Sequence, residues 1–349
     1  MGNSGSTAIK IAAVAGAAPL AIGAAAVAIG AAWSCYSWLD AVDPKPEESA
    51  ETKPQGPYKS EWVERVEDLS DLVPGKGDEL PRDPITDRVG LSHPGEIRIL
   101  CYNICGNGYF RLPNRMQAID KLIQKYLPAI ILLQEVTPEI YKIFKKCSWW
   151  GSYRSSVEPE KATRKCFCLV LSMLPVKKFF YSHFKNTCKG LSAAYIITAE
   201  RKKLIIATCH LKRPTPPEMN SIERVSQAKE ALDRVKSAKN VIIGGDMNWN
   251  EDSDGDFPLL DQWNDAWSVL RPDEDGWTYD TESNGMLHHK GELQRRLDRF
   301  VCKLQDFEML SIKRIGMEKI HGVRYKIKGA NVPVFPSDHY GLLLTICAK

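Results

Sequence analysis

From residue 97 onwards the chain alternates apolar runs with polar segments, and this pattern predicts strands interleaved with helices. The apolar runs with strand character are 97–103 (IRILCYN), 129–135 (AIILLQE), 167–171 (FCLVL), 193–199 (AAYIITA), 204–210 (LIIATCH) and 240–246 (NVIIGGD). Apolar residues recur at helical spacing over 116–126, stopping before Pro128, and again over 222–235. Strands and helices interleaved in this way predict an α/β domain whose sheets are covered by helices.

Four of the predicted strands end in a polar residue, and these are Asn103, Glu135, His210 and Asp246. One such residue is more often a turn former or a hydrogen-bonded structural group than part of a site. A rigid sheet that presents several polar side chains along one rim is, however, a common way to assemble a site. Four such ends in one domain therefore favour a functional site where these strands end.

The first forty residues carry a different pattern. Residues 11–33 contain no charge, and as a helix they would extend about 34 Å, enough to cross a bilayer core of about 30 Å. We therefore expect a membrane anchor. Twelve of these 23 residues are Ala and Pro19 interrupts them, so a cleaved presequence and a disordered Ala-rich leader stay open as alternatives. Gly2 also fits N-myristoylation, which conflicts with a simple span.

The chain divides into three predicted parts. Residues 1–39 form the hydrophobic leader, 40–92 form an acidic flexible linker rich in Pro, and 93–349 form the folded domain. The net charge of +4 hides an asymmetry: residues 1–90 carry 8 basic and 14 acidic side chains, whereas residues 91–349 carry 39 and 29. The basic folded domain suits an anionic substrate.

Ten cysteines occur, but none has Cys-x-x-Cys spacing and most lie within apolar runs. This distribution is typical of reduced, buried thiols in a cytosolic or nuclear protein. We therefore expect a folded domain that lies in a reducing compartment and is monomeric, in a chain that is associated with a membrane through residues 11–33.

Five motifs occur in a fixed order, and together they resemble a known superfamily. They are YN (102–103), LQEV (133–136), GGDMN (244–248), RRLDR (295–299) and FPSDHYG (335–341). The set resembles the endonuclease/exonuclease/phosphatase superfamily, to which deoxyribonuclease I belongs. The resemblance implies a four-layer α/β sandwich, in which two packed, mainly antiparallel sheets are flanked by helices, and it implies metal-dependent hydrolysis of a phosphodiester.

Within that superfamily, four segments are similar to the tyrosyl-DNA phosphodiesterase 2 family. The segments are LLQEVTP (132–138), DMN (246–248), WTYDT (277–281) and PSDHYGLL (336–343). This resemblance implies an enzyme that hydrolyses a 5′-phosphotyrosyl bond in DNA or a related phosphodiester bond. It implies Mg²⁺ as cofactor, for which Mn²⁺ can substitute, and DNA with a 5′ adduct as partner.

The resemblance also implies roles for individual residues. Asp246 would activate the attacking water. His339 would donate to the phosphoryl oxygen, with Asp298 fixing its tautomer and charge. Asn248 would hold water or a phosphate oxygen, and His210 would add a second imidazole. The implied metal ligands are Glu135, Asn103 and Asp338, and the implied substrate-binding residues are Lys212, Arg213 and Tyr279.

One of these motifs also has a structural explanation, and one segment outside the motifs is assigned no chemistry. Asp298 lies between Arg296 and Arg299, so an ordinary surface ion pair is an alternative to a catalytic role. The segment 288–290 (HHK) is predicted to be a solvated loop without chemistry.

The sequence departs from the family pattern at Cys105, where the resemblance places an acid, and at Lys212 and Arg213, where it places a Glu and a Ser. The substrate therefore has alternatives. One is a membrane-associated phosphodiesterase or phosphatase of the same superfamily that acts on a nucleotide, phosphoinositide or sphingolipid head group. Another is a non-catalytic binding protein that keeps the fold.

Overall fold

Two six-stranded sheets form the centre of the protein, whose computed structural model describes residues 95–349. In spatial order the first sheet consists of β13 (Phe307–Ile315), β16 (Gly341–Ala348), β1 (Glu96–Asn103), β2 (Ile130–Val136), β4 (Phe167–Ser172) and β3 (Arg154–Ser155). The second sheet consists of β5 (Val176–His183), β6 (Gly190–Ile197), β7 (Lys203–His210), β8 (Asn240–Asp246), β12 (Asp298–Leu304) and β9 (Asn264–Asp265).

Short hairpins and helices complete the described part of the chain. The hairpins pair β10 (Tyr279–Asp280) with β11 (Gln294–Arg295) and β14 (Arg324–Ile327) with β15 (Ala330–Pro333). The helices are α1 (Leu112–Tyr126), α2 (Pro138–Phe144), α3 (Ser221–Asp233), α4 (Glu251–Asp254) and α5 (Ala266–Leu270), with 3-10 turns at Trp150–Ser152, Pro159–Lys161 and Gly285–Lys290.

Apolar side chains from both sheets meet in a shared core. Ile99 and Leu132 of the first sheet pack in one cluster with Ile206 and Phe300 of the second, and all four are buried. The outer face of the first sheet packs against α1 and α2, and that of the second against α3. Central strands such as β2 are buried on both faces, which explains why they appear in the sequence as continuous apolar runs.

The predicted arrangement of two packed sheets flanked by helices is therefore confirmed. The predicted leader (1–39) and almost all of the linker (40–92) lie outside the described residues, so these boundaries stay predictions. Between residues 95 and 349, no helix is both long enough and apolar enough to cross a bilayer.

Each sheet is antiparallel except for one parallel pair. In the first sheet β1 runs parallel to β2, and in the second β7 runs parallel to β8. The carboxyl ends of parallel strands lie at the same edge of a sheet, so Asn103 lies beside Gln134 and His210 lies beside Asp246. The four strands that end in polar residues are therefore the members of these two parallel pairs.

Gly244 of β8 faces the opposite sheet at a position where a side chain has no room. A Cβ at this position would lie 2.6 Å from a ring carbon of Phe300 and 2.8 Å from Leu132 Cδ1 of the opposite sheet. Neither neighbour has a free end that can swing away, because both are buried in the shared core. A side chain at Gly244 would therefore displace Phe300 and Leu132 in the shared core, two residues before Asp246.

We expect Gly244→Ala to lower the free energy of unfolding by about 1–3 kcal/mol, the usual cost of overpacking a filled core. Chemical denaturation measures the change. Gly151→Ala is the control, since a Cβ there meets nothing within 4 Å. Equal stability of the two variants would contradict the close packing at Gly244.

Candidate active site

The two parallel strand pairs bring polar side chains from both sheets together. Asn103 Nδ2 donates to Asp246 Oδ2 at 2.8 Å and lies 3.4 Å from Glu135 Oε1. Asn103 ends β1 in the first sheet, whereas Asp246 ends β8 in the second. One amide group therefore links the two carboxylates and the edges of both sheets.

Asp246 is held on both of its oxygens and is 1 % exposed. Its Oδ1 accepts from the backbone N–H of Asn248 at 2.9 Å, and its Oδ2 lies 3.4 Å from His210 Nε2. Burial raises the pKa of Asp246 and the charge of Asp298 adds to this effect, while the charge of His339 opposes it. This is the environment of a fixed carboxylate that can accept a proton near neutral pH.

His339 and Asp298 form a buried pair next to Asp246. His339 Nδ1 lies 2.8 Å from Asp298 Oδ2, and His339 Nε2 lies 3.9 Å from Asp246 Oδ2. Burial alone would lower the pKa of His339, but the carboxylates of Asp298 and Asp246 raise it to about 10. At neutral pH this imidazole is therefore cationic and presents an Nε2–H towards the centre of the site.

The alternative explanation of Asp298 as a surface ion pair is wrong. Its flanking arginines both turn to another carboxylate: Arg296 lies 2.7 Å and Arg299 2.9 Å from Asp265. Asp298 itself is fully buried, and its Oδ1 has no hydrogen-bond partner among the described residues. Successive side chains of a strand point to opposite faces of the sheet, so Asp298 and the neighbouring Arg299 of β12 lie on different faces.

His210 differs from His339 in its charge, because its pKa is shifted in the other direction. Burial lowers its pKa well below the usual value, and the nearby cation of Lys189 lowers it further. Lys189 Nζ donates to the backbone carbonyls of His210 and Leu211 at 3.0 and 2.8 Å, and so holds the end of β7. His210 is therefore a neutral imidazole beside Asp246. Lys189 was missed by the sequence analysis because no motif marks it.

Three residues of the site have a left-handed backbone conformation. Cys105, Glu135 and Asn248 have φ of 55°, 60° and 48°, a region that costs free energy for most residues other than Gly. At Glu135 the strand is irregular, since the register of β2 with β4 shifts between Leu133 and Val136. This bulge turns the Glu135 carboxylate towards Asn103 and lets its Oε2 accept from the backbone N–H of Gly106 at 2.8 Å.

Arg115 of α1 fixes the loop that follows Asn103. Its guanidinium is fully buried and donates to the carbonyls of Ile104, Cys105, Asn107 and Phe110 at 2.8–3.0 Å. A buried guanidinium with four backbone acceptors shapes this loop, and its charge also lowers the pKa of Asp338.

The segment predicted to be a solvated loop (288–290) instead ends a 3-10 helix, so that prediction is wrong for Lys290. Lys290 is buried, and its Nζ donates to Tyr279 Oη at 2.9 Å. The Tyr279 ring packs edge-on against His339, with 5.1 Å between ring centres. Tyr279 is thus placed to fix the ring of His339. The charge of Lys290 lowers the pKa of Asp338, so Lys290 is a site residue that the sequence analysis missed.

The remaining predicted residues lie in different places around the site. The half-buried Asp338 lies next to the buried Cys105, and its charge contributes to raising the pKa of the Cys105 thiol. Arg213 lies close enough to lower the pKa of His210. Lys212 turns away towards α3, where its Nζ lies 3.3 Å from Glu223 Oε2.

The oxygen donors of the site fit a hard divalent cation. Asp246, Asp298 and His339 offer ligand atoms that all lie within 4.8 Å of one another. However, His339 already engages Asp298 and is cationic, so a cation is better accommodated on the side of Glu135 and Asn103. Glu135 supplies a carboxylate there, and its backbone strain is explained if that orientation is needed for a ligand.

Comparisons with known proteins place this arrangement in context. A profile described as "Endonuclease/Exonuclease/phosphatase family" matches residues 100–339. Tyrosyl-DNA phosphodiesterase 2 of Mus musculus is 26% identical over 266 residues, covering 73% of this chain and 67% of the relative. The Rattus norvegicus protein of the same name is 25% identical over 324 residues, covering 90% and 83%.

Solved structures show the same fold. D. rerio TDP2 in complex with a single-strand DNA product has a TM-score of 0.61 and 22% identity, covering 72% of this chain and 98% of that chain. The catalytic domain of human Nocturnin with a bound sulfate anion has a TM-score of 0.54 and 18% identity, covering 73% and 94%.

We expect Asp298→Asn to lower the pKa of His339 towards the ordinary range, because the first of the two carboxylates that hold its proton is lost. NMR titration of the imidazole resonances in the full-length chain measures the shift, with the exposed His321 as internal reference. An unchanged His339 titration would contradict the charged pair.

Proposed function

This chain belongs to the endonuclease/exonuclease/phosphatase family, whose profile matches residues 100–339, and we propose that it is a metal-dependent phosphodiesterase that hydrolyses a 5′-phosphotyrosyl bond in DNA. The observation that carries the proposal is the buried Asp246 carboxylate, held by Asn103 and Asn248 beside the cationic His339. The proposed DNA substrate is supported by the name of the relatives, tyrosyl-DNA phosphodiesterase 2, and by the single-strand DNA product bound in the D. rerio structure.

The geometry supports a direct attack by water on phosphorus. Asp246 accepts the proton of the attacking water, since its pKa is raised and its position is fixed from both oxygens. The Nε2–H of His339 donates to a phosphoryl oxygen as negative charge develops, and the neutral His210 donates a second hydrogen bond. The P–O bond to the tyrosine side chain breaks, and tyrosine leaves as a phenolate, whose conjugate acid has a pKa of about 10.

We propose Glu135, Asn103 and Asp338 as the residues that hold Mg²⁺, with Mn²⁺ as a substitute. When bound, such an ion neutralises charge on the phosphate and orients it. The role of this chain is to fix the donors: the strained backbone aims Glu135, and Arg115 holds the loop between Asn103 and α1.

Location is a separate part of the proposal. The nine cysteines of residues 95–349 are all free thiols, which supports a reducing compartment such as the cytosol or nucleus. We propose that residues 11–33, with no charge over 23 positions, attach the chain to a membrane. The same segment favours a second candidate function, hydrolysis of a nucleotide, phosphoinositide or sphingolipid head group by the same site.

Asp246→Asn should lower hydrolysis about 10²–10⁴-fold, because the positioned base is lost. The assay uses the full-length chain with Mg²⁺ and a 5′-phosphotyrosyl oligonucleotide, and it follows release of tyrosine to leave a 5′-phosphate. Asp261→Asn is the control, since this aspartate is exposed and distant from the described site.

Parallel substrates separate the candidates. Turnover of a chromogenic phosphodiester without turnover of the phosphotyrosyl oligonucleotide would favour the head-group alternative. If the wild-type chain hydrolyses neither, the proposal fails and the non-catalytic binding protein is favoured.

Cys105→Asp should reduce the Mg²⁺ concentration needed for half-maximal activity. Cys105 is a neutral thiol, because burial and Asp338 raise its pKa to about 12, and a thiol is a poor ligand for Mg²⁺. Asp adopts the left-handed conformation found at residue 105 more readily than most residues, so the change suits the backbone. Cys105→Ser is the matched control, and equal metal titrations of the two variants would count against residue 105 as part of the metal environment.

A further inference from the structure

The hairpin formed by β14 and β15 lies outside the catalytic residues but is joined to them on two sides. It is inserted between β13 and β16, and the chain runs from its end at Pro333 directly to His339. Val334 donates to the Val323 carbonyl at 3.2 Å and accepts from Ile320 at 2.7 Å, which closes the base of the hairpin. The hairpin is therefore attached firmly to the segment that carries His339.

Its inner face packs on the loop that follows Asn103. The Tyr325 ring contacts Phe110 edge-on with 5.0 Å between ring centres, and Arg111 Nε donates to the Arg324 carbonyl at 3.2 Å. These contacts place the hairpin at the rim of the site, next to the loop that Arg115 shapes.

The outer face of the hairpin is basic. Arg324, Lys326 and Lys328 are exposed and alternate with the partly buried Val323, Tyr325 and Ile327. Opposite Arg324 and Lys326 in the pairing register lie Pro333 and Asn331, so no acid shares this face. Within residues 95–349, neither Lys326 nor Lys328 forms a salt bridge.

The tip of the hairpin carries the charge of Lys328 at a backbone position that rarely holds Lys. Lys328 and Gly329 form a two-residue turn with φ of 46° and 86°, where Asn, Asp or Gly is normally preferred at the first position. Lys at this position adds a cation at the tip although the backbone does not favour it. Tyr109, which is 64% exposed, lies two residues before Arg111 on the adjacent loop.

We propose that this basic hairpin binds the phosphates of the nucleic-acid strand that flanks the scissile bond, with Tyr109 as a stacking surface for a base. Alternate residues on a strand lie about 7 Å apart, so Arg324, Lys326 and Lys328 cover a row of phosphates. Proteins that bind single-stranded nucleic acids commonly combine cationic side chains with an aromatic ring on which a base stacks. The inference rests on the proposed function for its substrate.

The test compares the salt dependence of binding to a plain single-stranded oligonucleotide by the full-length chain and by Lys326→Gln/Lys328→Gln. Loss of two phosphate contacts should reduce the slope of log K against log [salt] by about 1.4. The advantage of the wild type over the variant should therefore shrink about sevenfold over a fourfold rise in salt. Tyr109→Leu should weaken binding with little change in slope.

Lys202→Gln/Lys203→Gln is the matched control, because it removes the same charge at the end of β7 opposite to His210. An unchanged slope in the hairpin variant, and also in Lys326→Glu/Lys328→Glu, would overturn the proposal. So would loss of binding to anionic phosphatidylserine vesicles with oligonucleotide binding retained, which would assign the face to a membrane surface.

The oligonucleotide carries no adduct, so this measurement does not depend on turnover. Hydrolysis of a phosphotyrosyl dinucleotide by the wild type tests the proposed function separately, since such a substrate offers few phosphates to the hairpin. In turnover assays, the wild type should prefer a long phosphotyrosyl oligonucleotide over the dinucleotide by KM, and the hairpin variant should lose that preference.

Discussion

The site depends on one constraint, which is that each sheet contains a single parallel strand pair and both pairs end at the same place. The carboxyl ends of β1 and β2 carry Asn103 and Glu135, and those of β7 and β8 carry His210 and Asp246. The Asn103 amide spans the gap between the sheets. Packing of the two apolar inner faces thus determines the distance between the polar ends, and the absence of a side chain at Gly244 is part of that packing.

Burial makes the charges at these ends interdependent. Raising the pKa of His339 from 6.5 to about 10 corresponds to roughly 5 kcal/mol of preference for the cation, which the carboxylates of Asp298 and Asp246 supply. This stabilisation of the fold is complete below the unfolded pKa of 6.5 and is lost as the pH rises through about 10. Asp246 acts in the same direction, because its pKa is also raised: the fold loses stability as the pH rises from the unfolded value of 3.8 to about 7.

The polar residues at the strand ends could be predicted from the sequence, whereas the contacts between distant segments could not. Asn103, Glu135, His210 and Asp246 follow apolar runs, so a local pattern was enough to predict that they lie near one another. Lys290 was missed because the burial that makes it part of the site comes from Tyr279 and the segment around Asp338, which no local pattern reveals. The partner of Arg296 and Arg299 is likewise a residue more than 30 positions away, and only the fold shows that it leaves Asp298 to His339.

The corner around Cys105 explains how the site can differ from the family pattern and keep its chemistry. A carboxylate at residue 105 would lie beside Asp338, where Lys290 already contributes a positive charge. With a neutral thiol in its place, Asp338 is the carboxylate of this corner, and the charges of His339, Lys290 and Arg115 lower its pKa and keep it ionised. The substitution therefore weakens the attraction for a cation without displacing the base or the cationic imidazole, because Asp246 and His339 are held by contacts that do not involve Cys105.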